Sequence, residues 1–299
     1  VSVVAFQAKK GSRIQSTDPA LRLKGSEQMQ EMKKKSSFKD LKWQYVGPIN
    51  VGGRCTDVAV VAPKGKNYTM YVASASGGLW KTQNEGTTWD QVFDENAASS
   101  AFGSVAIAPS DPNIVWAGTG EANIFRSSQA GCGVFKSTDA GKTWQHMGLA
   151  DTYTIARIVV HPKNPDMVYI AASGHEWTFN NERGVYKTSD GGKTWQKILF
   201  VNDRTGAIDL VMDPTDNEIL YAATWQRIRL KWNDPRNTAD YTGSGIQKSI
   251  DGGKTWKQIN AGLPEAKHRG RIGLDIAHSN PKVLYAFVDN YEKAVSDSG

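Results

Sequence analysis

Short apolar runs recur along the chain, and each is interrupted by a Pro, Asn or Asp turn before a second run of β-branched and aromatic residues. Examples are SVAIAPSDPNIVWAGT at 104–119 and RIVVHPKNPDMVYIAA at 157–172. Two apolar runs joined by a turn of this composition predict an antiparallel β-hairpin. Further hairpins of this kind begin near residues 57, 209 and 273. Helical composition is confined to residues 18–36, where Asp18 and Pro19 are typical of a helix start.

A second recurring sequence segment follows four of these hairpins. It reads GLWKTQNEGTTWDQV from residue 78, GVFKSTDAGKTWQHM from 133, GVYKTSDGGKTWQKI from 184 and GIQKSIDGGKTWKQI from 245. Each copy predicts a strand, a tight turn in which glycine supplies positive φ, and another strand. Four short strands, A to D, in a unit of about 50 residues predict a β-propeller blade.

The predicted turn in each of these segments carries a known sequence motif. The pattern S/T-x-D-x-G-x-T-W fits residues 137–144, 188–195 and 249–256, and it fits 82–89 with Asn84 in the place of Asp. This pattern is the Asp-box, or BNR repeat, and over residues 43–290 the chain resembles Asp-box β-propellers. A role in the turn is expected for Asn84, Asp139, Asp190 and Asp251, and for Trp89, Trp144, Trp195 and Trp256.

The resemblance implies an all-β fold of four-stranded blades, of which about five fall in this sequence. Such propellers resemble structures of seven or more blades, so the chain is interpreted as part of a longer protein. Families that carry the motif include sialidases, xyloglucanases, sortilin-type receptors and photosystem II assembly factors. Because these families share turns and little chemistry, the resemblance to sortilin-like and xyloglucanase-type propellers leaves the function open.

The predicted propeller occupies residues 41–299. Its blades lie near 41–93, 94–148, 149–200, 201–260 and 261–299, and the last is incomplete. Residues 1–40 form a basic tail or linker with nine Lys or Arg and four Asp or Glu, so they hold +5 of the net charge of +6. Since the remainder is close to neutral, no nucleic-acid partner is predicted.

Location and cofactors are predicted from what the chain contains. No apolar run approaches the roughly 20 residues of a membrane helix, so no membrane span is predicted. Val1–Ala8 reads either as the remnant of a signal peptide or as a stray apolar strand, and a secreted, periplasmic or cell-surface location is favoured. Two Cys and five scattered His give no metal-ligand spacing, so no metal and no cofactor are expected.

Strand parity selects a candidate ligand face. In a meandering blade the B–C and D–A loops emerge on one side of the propeller, and the A–B and C–D turns emerge on the other. We call the first side the loop face, and function is expected there because binding residues concentrate on loops over a rigid scaffold. The predicted ligand-binding residues are Trp225, Arg227, Arg229 and Trp232 in blade four, His175 and Trp177 in blade three, and Arg157 and Arg271 near the central funnel.

Two functions compete, and a third remains. The leading interpretation is a secreted module that binds protein or glycan through its B–C loops. The alternative is a glycoside hydrolase that uses Glu121 and Glu176, two carboxylates at equivalent positions of adjacent blades. A third is a structural blade array inside a larger assembly. The Arg-Ile-Pro motif of sialidases does not occur, and Ser76 stands where xyloglucanases carry a catalytic Asp before Gly-Gly.

Overall fold

The computed structural model describes residues 16–41, 54–62, 68–96, 98–123, 128–229 and 242–292. The predictions for Val1–Ala8 and for Trp232 lie outside these residues. A single α-helix, α1 (Pro19–Lys35), precedes the strands in the described part of the chain. The Asp18 side chain caps α1 by accepting a hydrogen bond of 2.9 Å from the Ala20 N–H, and Pro19 supplies the preset φ of a first helical residue.

Eighteen strands in the described residues form the blades. Blade 1 holds β1 (Cys55–Val60), β2 (Met70–Ser74), β3 (Leu79–Thr82) and β4 (Asp90–Gln91). Blade 2 holds β5 (Phe102–Ala108), β6 (Asp111–Thr119), β7 (Val134–Ser137) and β8 (Gln145–His146). Blade 3 holds β9 (Ile155–Val160), β10 (Val168–Ala172), β11 (Gly184–Thr188) and β12 (Gln196–Leu199). Blade 4 holds β13 (Thr205–Met212), β14 (Leu220–Gln226), β15 (Gly245–Ser249) and β16 (Lys257–Gln258), and blade 5 holds β17 (Arg269–Ile276) and β18 (Leu284–Asn290).

Each blade is an antiparallel meander in which every strand pairs with the next along the chain. Blades 1 to 4 are four-stranded, and blade 5 is a two-stranded sheet in the described residues. Short 3-10 helices at Ala150–Thr152 and Ala266–His268 lie in the connections between blades. The predicted all-β propeller of four-stranded blades is confirmed.

Apolar side chains from neighbouring blades interlock in four clusters. Phe93 of blade 1 packs edge-on against Phe102 and Phe135 of blade 2, with ring centroids 4.9 Å apart in each pair. Every residue of β10 is buried, because blades 2 and 4 cover both faces of its sheet. Burying a large apolar side chain such as Phe, Leu or Ile stabilises a fold by roughly 1.5–3 kcal/mol, so the cores between blades are the main source of stability.

Polar side chains join the innermost strands around the axis. Asp57 of β1 accepts a 2.7 Å hydrogen bond from Ser104 of β5. The guanidinium of Arg157 on β9 bridges Asp57, at 3.1 Å, and Asp209 on β13, at 3.0 Å. Asp209 in turn accepts a 2.8 Å hydrogen bond from the backbone N–H of Leu274 on β17. These bonds link the inner strands of all five blades.

The Asp-box closes its hairpin through a carboxylate. Asp190 accepts hydrogen bonds from the Thr194 N–H at 3.0 Å and from the Thr194 hydroxyl at 2.6 Å. Thr188 donates to Asp190 at 2.8 Å and accepts from the Gly192 N–H at 2.9 Å. The backbone donor therefore lies four residues after the Asp, whereas turn chemistry predicts a donor two residues on. Asp139 and Asp251 make the same bonds.

The tryptophan of the motif joins blades. The sequence predicts a role for this tryptophan in its own turn, but Trp144 donates its indole N–H to the Val92 carbonyl of the preceding blade at 2.7 Å. Trp195 donates to the Met147 carbonyl of the preceding blade, also at 2.7 Å. Trp256 differs, since its N–H bonds to Gly253 in its own turn at 3.1 Å.

Candidate functional site

The two predicted catalytic carboxylates lie where strand B ends in blades 2 and 3, on the loop face. Glu121 follows β6 and Glu176 follows β10. Both residues are buried, with exposed fractions of 1% and 4%. Burial of two carboxylates requires compensating charge, and each of them has an arginine partner.

Arg54 holds Glu121 in a bidentate ion pair. The Arg54 Nε and Nη2 atoms donate to the two carboxylate oxygens at 3.0 and 2.8 Å. Arg54 lies immediately before β1, so the pair joins blade 1 to blade 2. Charge-assisted bidentate pairs fix orientation as well as charge, so the plane of the Glu121 carboxylate is fixed by blade 1.

Arg229 of blade 4 holds Glu176 through one side-chain ion pair and one backbone hydrogen bond. Its Nη1 atom lies 2.7 Å from a Glu176 carboxylate oxygen, and its backbone N–H donates to the Glu176 carbonyl at 2.7 Å. Both side chains are about 95% buried. The predicted ligand-binding residue Arg229 is therefore the ion-pair partner of a predicted catalytic residue.

The charge of Glu176 acts on the Glu121 carboxyl. Burial raises the pKa of Glu121, the Arg54 guanidinium opposes this shift, and the negative charge of Glu176 raises the pKa further. A carboxylic acid with a raised pKa beside a second carboxylate is the arrangement that general acid catalysis at a glycosidic bond requires.

His175 lies beside this pair in a network of its own. Its Nε2 atom is 3.0 Å from Asp151 and its Nδ1 atom is 2.6 Å from the Thr178 hydroxyl. The ring packs against Tyr153 at a tilt of 45°, with centroids 4.3 Å apart. Burial lowers the pKa of His175, although Asp151 acts in the opposite direction. His175 is 4% exposed, so it braces the loops of blades 2 and 3 from beneath the surface.

Two further arginines are fully buried near the carboxylates. Arg183, which sequence reasoning did not select, donates to the carbonyls of Ser173 and Thr178 at 2.9 Å. Arg227 donates to the Ala122 carbonyl, and its Nε and Nη2 atoms have no partner among the described residues. Burial lowers the pKa of Arg227 to about 10, while the charges of Glu176 and Glu121 act against this shift. Arg227 thus connects blade 4 to the residue that follows Glu121.

The predicted aromatic residues are divided between core and surface. Trp225 belongs to β14 and is 5% exposed, packed in the core between blades 4 and 5, so it offers no stacking surface. Trp177 is half-buried and stacks against the Arg229 guanidinium, whose central carbon lies 5.3 Å from the ring centroid. Of these two residues, only Trp177 is placed to meet a ligand.

Arg157 and Arg271 lie on the inner strands, apart from the carboxylates. Arg157 is tied to Asp57 and Asp209, as described above, and it also lines an open cavity of about 670 Å³ between blades 3, 4 and 5. The cavity walls come from the later halves of β9, β13 and β17 and their A–B turns, with Leu210, Leu274 and Ile276 among them. The cavity therefore opens toward the side opposite the loop face. Arg271 is exposed on β17.

Helix α1 crosses part of the loop face. Ser26 and Gln30 donate to the carbonyls of Asn96 and Glu95 in the D–A loop between blades 1 and 2. Arg22 lies over the Tyr153 ring, 4.8 Å from its centroid, in the next D–A loop. The helix lies within the predicted basic tail, and its contacts place it beside the His175 network.

Other candidate chemistry is sparse in the part of the chain that the structure describes. No group of three or more His, Cys, Asp or Glu side chains there is suited to hold a metal ion. Cys55 is exposed, Cys132 is buried, and both are free thiols. None of the described helices has the length and apolarity to cross a membrane.

The curated relatives that match the chain are xyloglucanases. Xyloglucanase Xgh74A of Acetivibrio thermocellus is 26% identical over 165 residues, which are 50% of this chain and 18% of that protein. A xyloglucanase of Hypocrea jecorina is 24% identical over 247 residues, 73% of this chain and 27% of that protein. The chain therefore spans less than a third of the length of these relatives.

Solved structures show the same fold. An ancestral GH74 enzyme matches with a TM-score of 0.61 and 22% identity, over 84% of this chain and 29% of that chain. The GH74 xyloglucanase of Xanthomonas campestris matches with a TM-score of 0.54 and 16% identity, over 75% of this chain and 34% of that chain. At these identities the likeness supports the propeller fold alone.

One family model covers the greater part of the chain. The model described as "Sortilin, neurotensin receptor 3" matches residues 132–293, from the end of the B–C loop of blade 2 to the end of blade 5. This match, together with the Asp-box turns and the four-stranded blades, shows that the chain belongs to the Sortilin-Vps10 family of β-propellers.

Proposed function

We propose that this propeller acts on a polysaccharide as a glycoside hydrolase, with Glu121 as the proton donor and Glu176 as the partner carboxylate. The observation that carries the proposal is the placement of two buried carboxylates at the end of strand B in adjacent blades, on the loop face; the raised pKa of Glu121 supports it. The similarity to xyloglucanases over half or more of the chain supports a polysaccharide, and xyloglucan is the first substrate to test.

Each carboxylate has a distinct task in this chemistry. A general acid must hold its proton near neutral pH and deliver it to the leaving oxygen, which the raised pKa of Glu121 favours. The second carboxylate must stay ionised, either to attack the anomeric carbon or to activate water. Arg229 contacts Glu176 at 2.7 Å, so it fixes the position of this second carboxylate.

The ion pairs also define what a substrate must do. Arg54 donates to both oxygens of Glu121, so one of these hydrogen bonds has to open before Glu121 can carry the proton that it gives to the glycosidic oxygen. Arg54 is 41% exposed at its side chain, which leaves it accessible from the loop face. We propose that Trp177 supplies a stacking surface for a sugar ring at the edge of this site.

The site proposed here differs from that of xyloglucanases in its residues. Ser76 stands where their catalytic Asp precedes Gly-Gly, so hydrolysis by this chain depends on Glu121 and Glu176. A secreted, periplasmic or cell-surface location is part of the proposal, because structural polysaccharides lie outside the cell. A protein ligand and membership of a larger assembly stay predictions.

The test is a hydrolysis assay on xyloglucan and other β-glucans, in which the released reducing ends are measured. We expect the wild-type chain to hydrolyse the substrate. The hydrolysis rate should fall at least a hundredfold in Glu121→Gln and in Glu176→Gln. Asp289→Asn, which neutralises an exposed carboxylate of β18, is the matched control and keeps activity. Turnover that survives in both Gln variants would reject this pair of residues.

A second candidate function is binding without hydrolysis. Its supporting observation is that both carboxylates are buried in ion pairs and therefore also suit a purely structural role. Affinity electrophoresis in gels that contain xyloglucan separates the two functions. Retardation of the wild-type chain without release of reducing ends would favour the binding module, and Trp177→Ala would then abolish the retardation.

A further inference from the structure

Tyr153 has a strained backbone at the loop face. Its φ of 66° and ψ of −44° lie outside the regions that a bulky residue prefers. The Gly131 N–H holds this conformation by donating to the Tyr153 carbonyl at 2.7 Å. Both neighbours, Thr152 and Thr154, are buried, whereas Tyr153 itself is half-buried. The turn therefore keeps one aromatic side chain near the surface at the cost of strain, and such strain is typical of binding and switch sites.

The Tyr153 ring lies in the surroundings of the two carboxylates. It packs against His175, with centroids 4.3 Å apart, and His175 directly precedes Glu176. Trp177, the stacking surface proposed above, is the next residue along the chain. An aromatic ring close to polar groups suits a sugar, whose C–H groups pack on the ring while its hydroxyls bind the polar groups.

Helix α1 covers this ring with a cation. The Arg22 guanidinium lies over Tyr153, with its central carbon 4.8 Å from the ring centroid. All three of its nitrogen atoms are buried, and none of them has a hydrogen-bond partner among the described residues. A cation–π contact favours this placement, but buried charged donors without acceptors oppose it. Arg22 therefore masks the ring without being tied down by hydrogen bonds.

The rest of α1 is lightly attached as well. Ser26 and Gln30 each donate one hydrogen bond to a backbone carbonyl of the D–A loop between blades 1 and 2. Leu23 packs against the core of blades 1 and 2 but is only half-buried, and no residue of α1 is fully buried. A segment with few buried apolar contacts opens at a lower free energy than the core does, so α1 undocks more readily than the blades unfold.

We propose that α1 is a displaceable cover of the loop face, and that its departure exposes the Tyr153 ring as a further stacking surface for a polysaccharide. Sugar and Arg22 compete for the same ring, so ligand binding drives the helix off, and a chain with α1 undocked binds the ligand more tightly. The choice of a sugar as the competitor rests on the proposed function, whereas the reversible docking of α1 does not.

A buried thiol reports on the docking of α1. Cys132 is 1% exposed and belongs to the core cluster against which Leu23 packs. Burial raises the pKa of this thiol, while a hydrogen bond with Thr119 and the charge of Arg22 lower it, so Arg22 acts directly on the sulfur. Cys55 is exposed, and the sequence holds two cysteines, so Cys55→Ser leaves Cys132 as the single thiol to be labelled.

The first test measures labelling of Cys132 by an aromatic disulfide reagent, without sugar, in the full chain that carries Cys55→Ser. We expect Leu23→Asp to accelerate labelling by about tenfold or more, because it places a charge in the docked interface. Lys24→Ala, on the exposed side of α1, is the matched control and leaves the rate unchanged. Equal labelling rates in the two variants, or loss of hydrogen-exchange protection throughout the blades of Leu23→Asp, would overturn the assignment of α1 as a cover.

The second test adds a xyloglucan oligosaccharide. We expect the sugar to accelerate labelling of Cys132 when α1 is unaltered, and we expect Leu23→Asp to bind the sugar more tightly in calorimetry. In the Leu23→Asp background, Tyr153→Leu should weaken binding by roughly threefold to tenfold. Leucine keeps an apolar side chain at the strained position but lacks an aromatic face.

The remaining outcomes separate this inference from the proposed function. Oligosaccharide binding that slows the labelling of Cys132, or that Tyr153→Leu leaves unchanged, would overturn the inference. If xyloglucan is still hydrolysed in that case, the proposed function stands without it. Absence of both binding and hydrolysis, while Leu23→Asp still accelerates labelling, would reject the proposed function and, with it, sugar as the competitor of Arg22.

Discussion

Replacing Trp195 with phenylalanine tests whether the Asp-box holds blades together or closes its own turn. In the structure the Trp195 N–H bonds to the Met147 carbonyl of the preceding blade at 2.7 Å. Its ring meets Trp116 edge-on, with centroids 6.1 Å apart and an interplanar angle of 82°. Phenylalanine keeps an aromatic ring at this position and removes the hydrogen bond between the blades.

The expected loss follows from these two contacts. A hydrogen bond of this kind contributes about 0.5–1.5 kcal/mol, and an edge-to-face aromatic pair contributes about 0.5–1.5 kcal/mol beyond its buried area, of which phenylalanine keeps part. We therefore expect Trp195→Phe to lower the free energy of unfolding by about 1–2 kcal/mol. Trp256→Phe is the matched control, since its N–H bonds within its own turn, and we expect a loss at the lower end of the hydrogen-bond range, about 0.5 kcal/mol.

Urea unfolding followed by circular dichroism measures the difference, and hydrogen exchange locates it. The exchange protection of β8 and β9, on the two sides of the blade 2–blade 3 junction, should fall in Trp195→Phe and stay unchanged in Trp256→Phe. Equal losses in the two variants, or a loss in Trp195→Phe confined to the turn at residues 188–195, would refute the assignment of the Trp195 hydrogen bond as an inter-blade contact.

Three further outcomes follow from the charges and packing. Hydrogen bonds from Thr143 and Thr255 lower the pKa of Asp139 and of Asp251 to about 2. These carboxylates therefore stabilise the fold above pH 4, and this contribution is lost as the pH falls toward 2. Asp139→Asn should flatten that part of an acid-unfolding curve, and an unchanged curve would contradict the assignment. Burial lowers the pKa of His175, so stability should fall as the pH drops below about 6.5, the pKa of an unfolded histidine, and thermal melts of His175→Gln between pH 7 and 5 should lack this slope. Leu23→Asp, which places a charge against the core of blades 1 and 2, should release α1 and abolish its exchange protection while the blades keep theirs; loss of protection throughout would show that the helix is integral to the fold.

The fold was predictable because its information is local and repeated. Each Asp-box turn is closed by residues within four positions of its Asp, and each hairpin is signalled by its own apolar runs and turn residues. Four copies of one pattern leave little freedom in how the strands are ordered. The direction of the tryptophan was missed because its acceptor, as in Trp195 to Met147, lies in the preceding blade, 48 residues away.

The candidate site was only partly predictable, because its partners are distant in sequence. Strand parity brings Glu121 and Glu176 to one face, but nothing local to Glu121 indicates Arg54, which lies 67 residues earlier. Trp225 was predicted as a loop residue from its aromatic and basic surroundings. The strand β14 continues through Gln226, however, and the ring is enclosed by the core of blades 4 and 5. The crossing of α1 over the loop face has no periodic signal, since the helix has no buried residue.

A crystal structure of Glu121→Gln soaked with a xyloglucan oligosaccharide tests the central claim most directly, because this variant retains the shape of the site without the proposed proton donor. We predict sugar density on the loop face between blades 2, 3 and 4, with a glycosidic oxygen within about 2.6–3.2 Å of the residue 121 amide. Density confined to the cavity beside Arg157 and Leu274, or a loop face free of sugar at saturating oligosaccharide, would contradict the account.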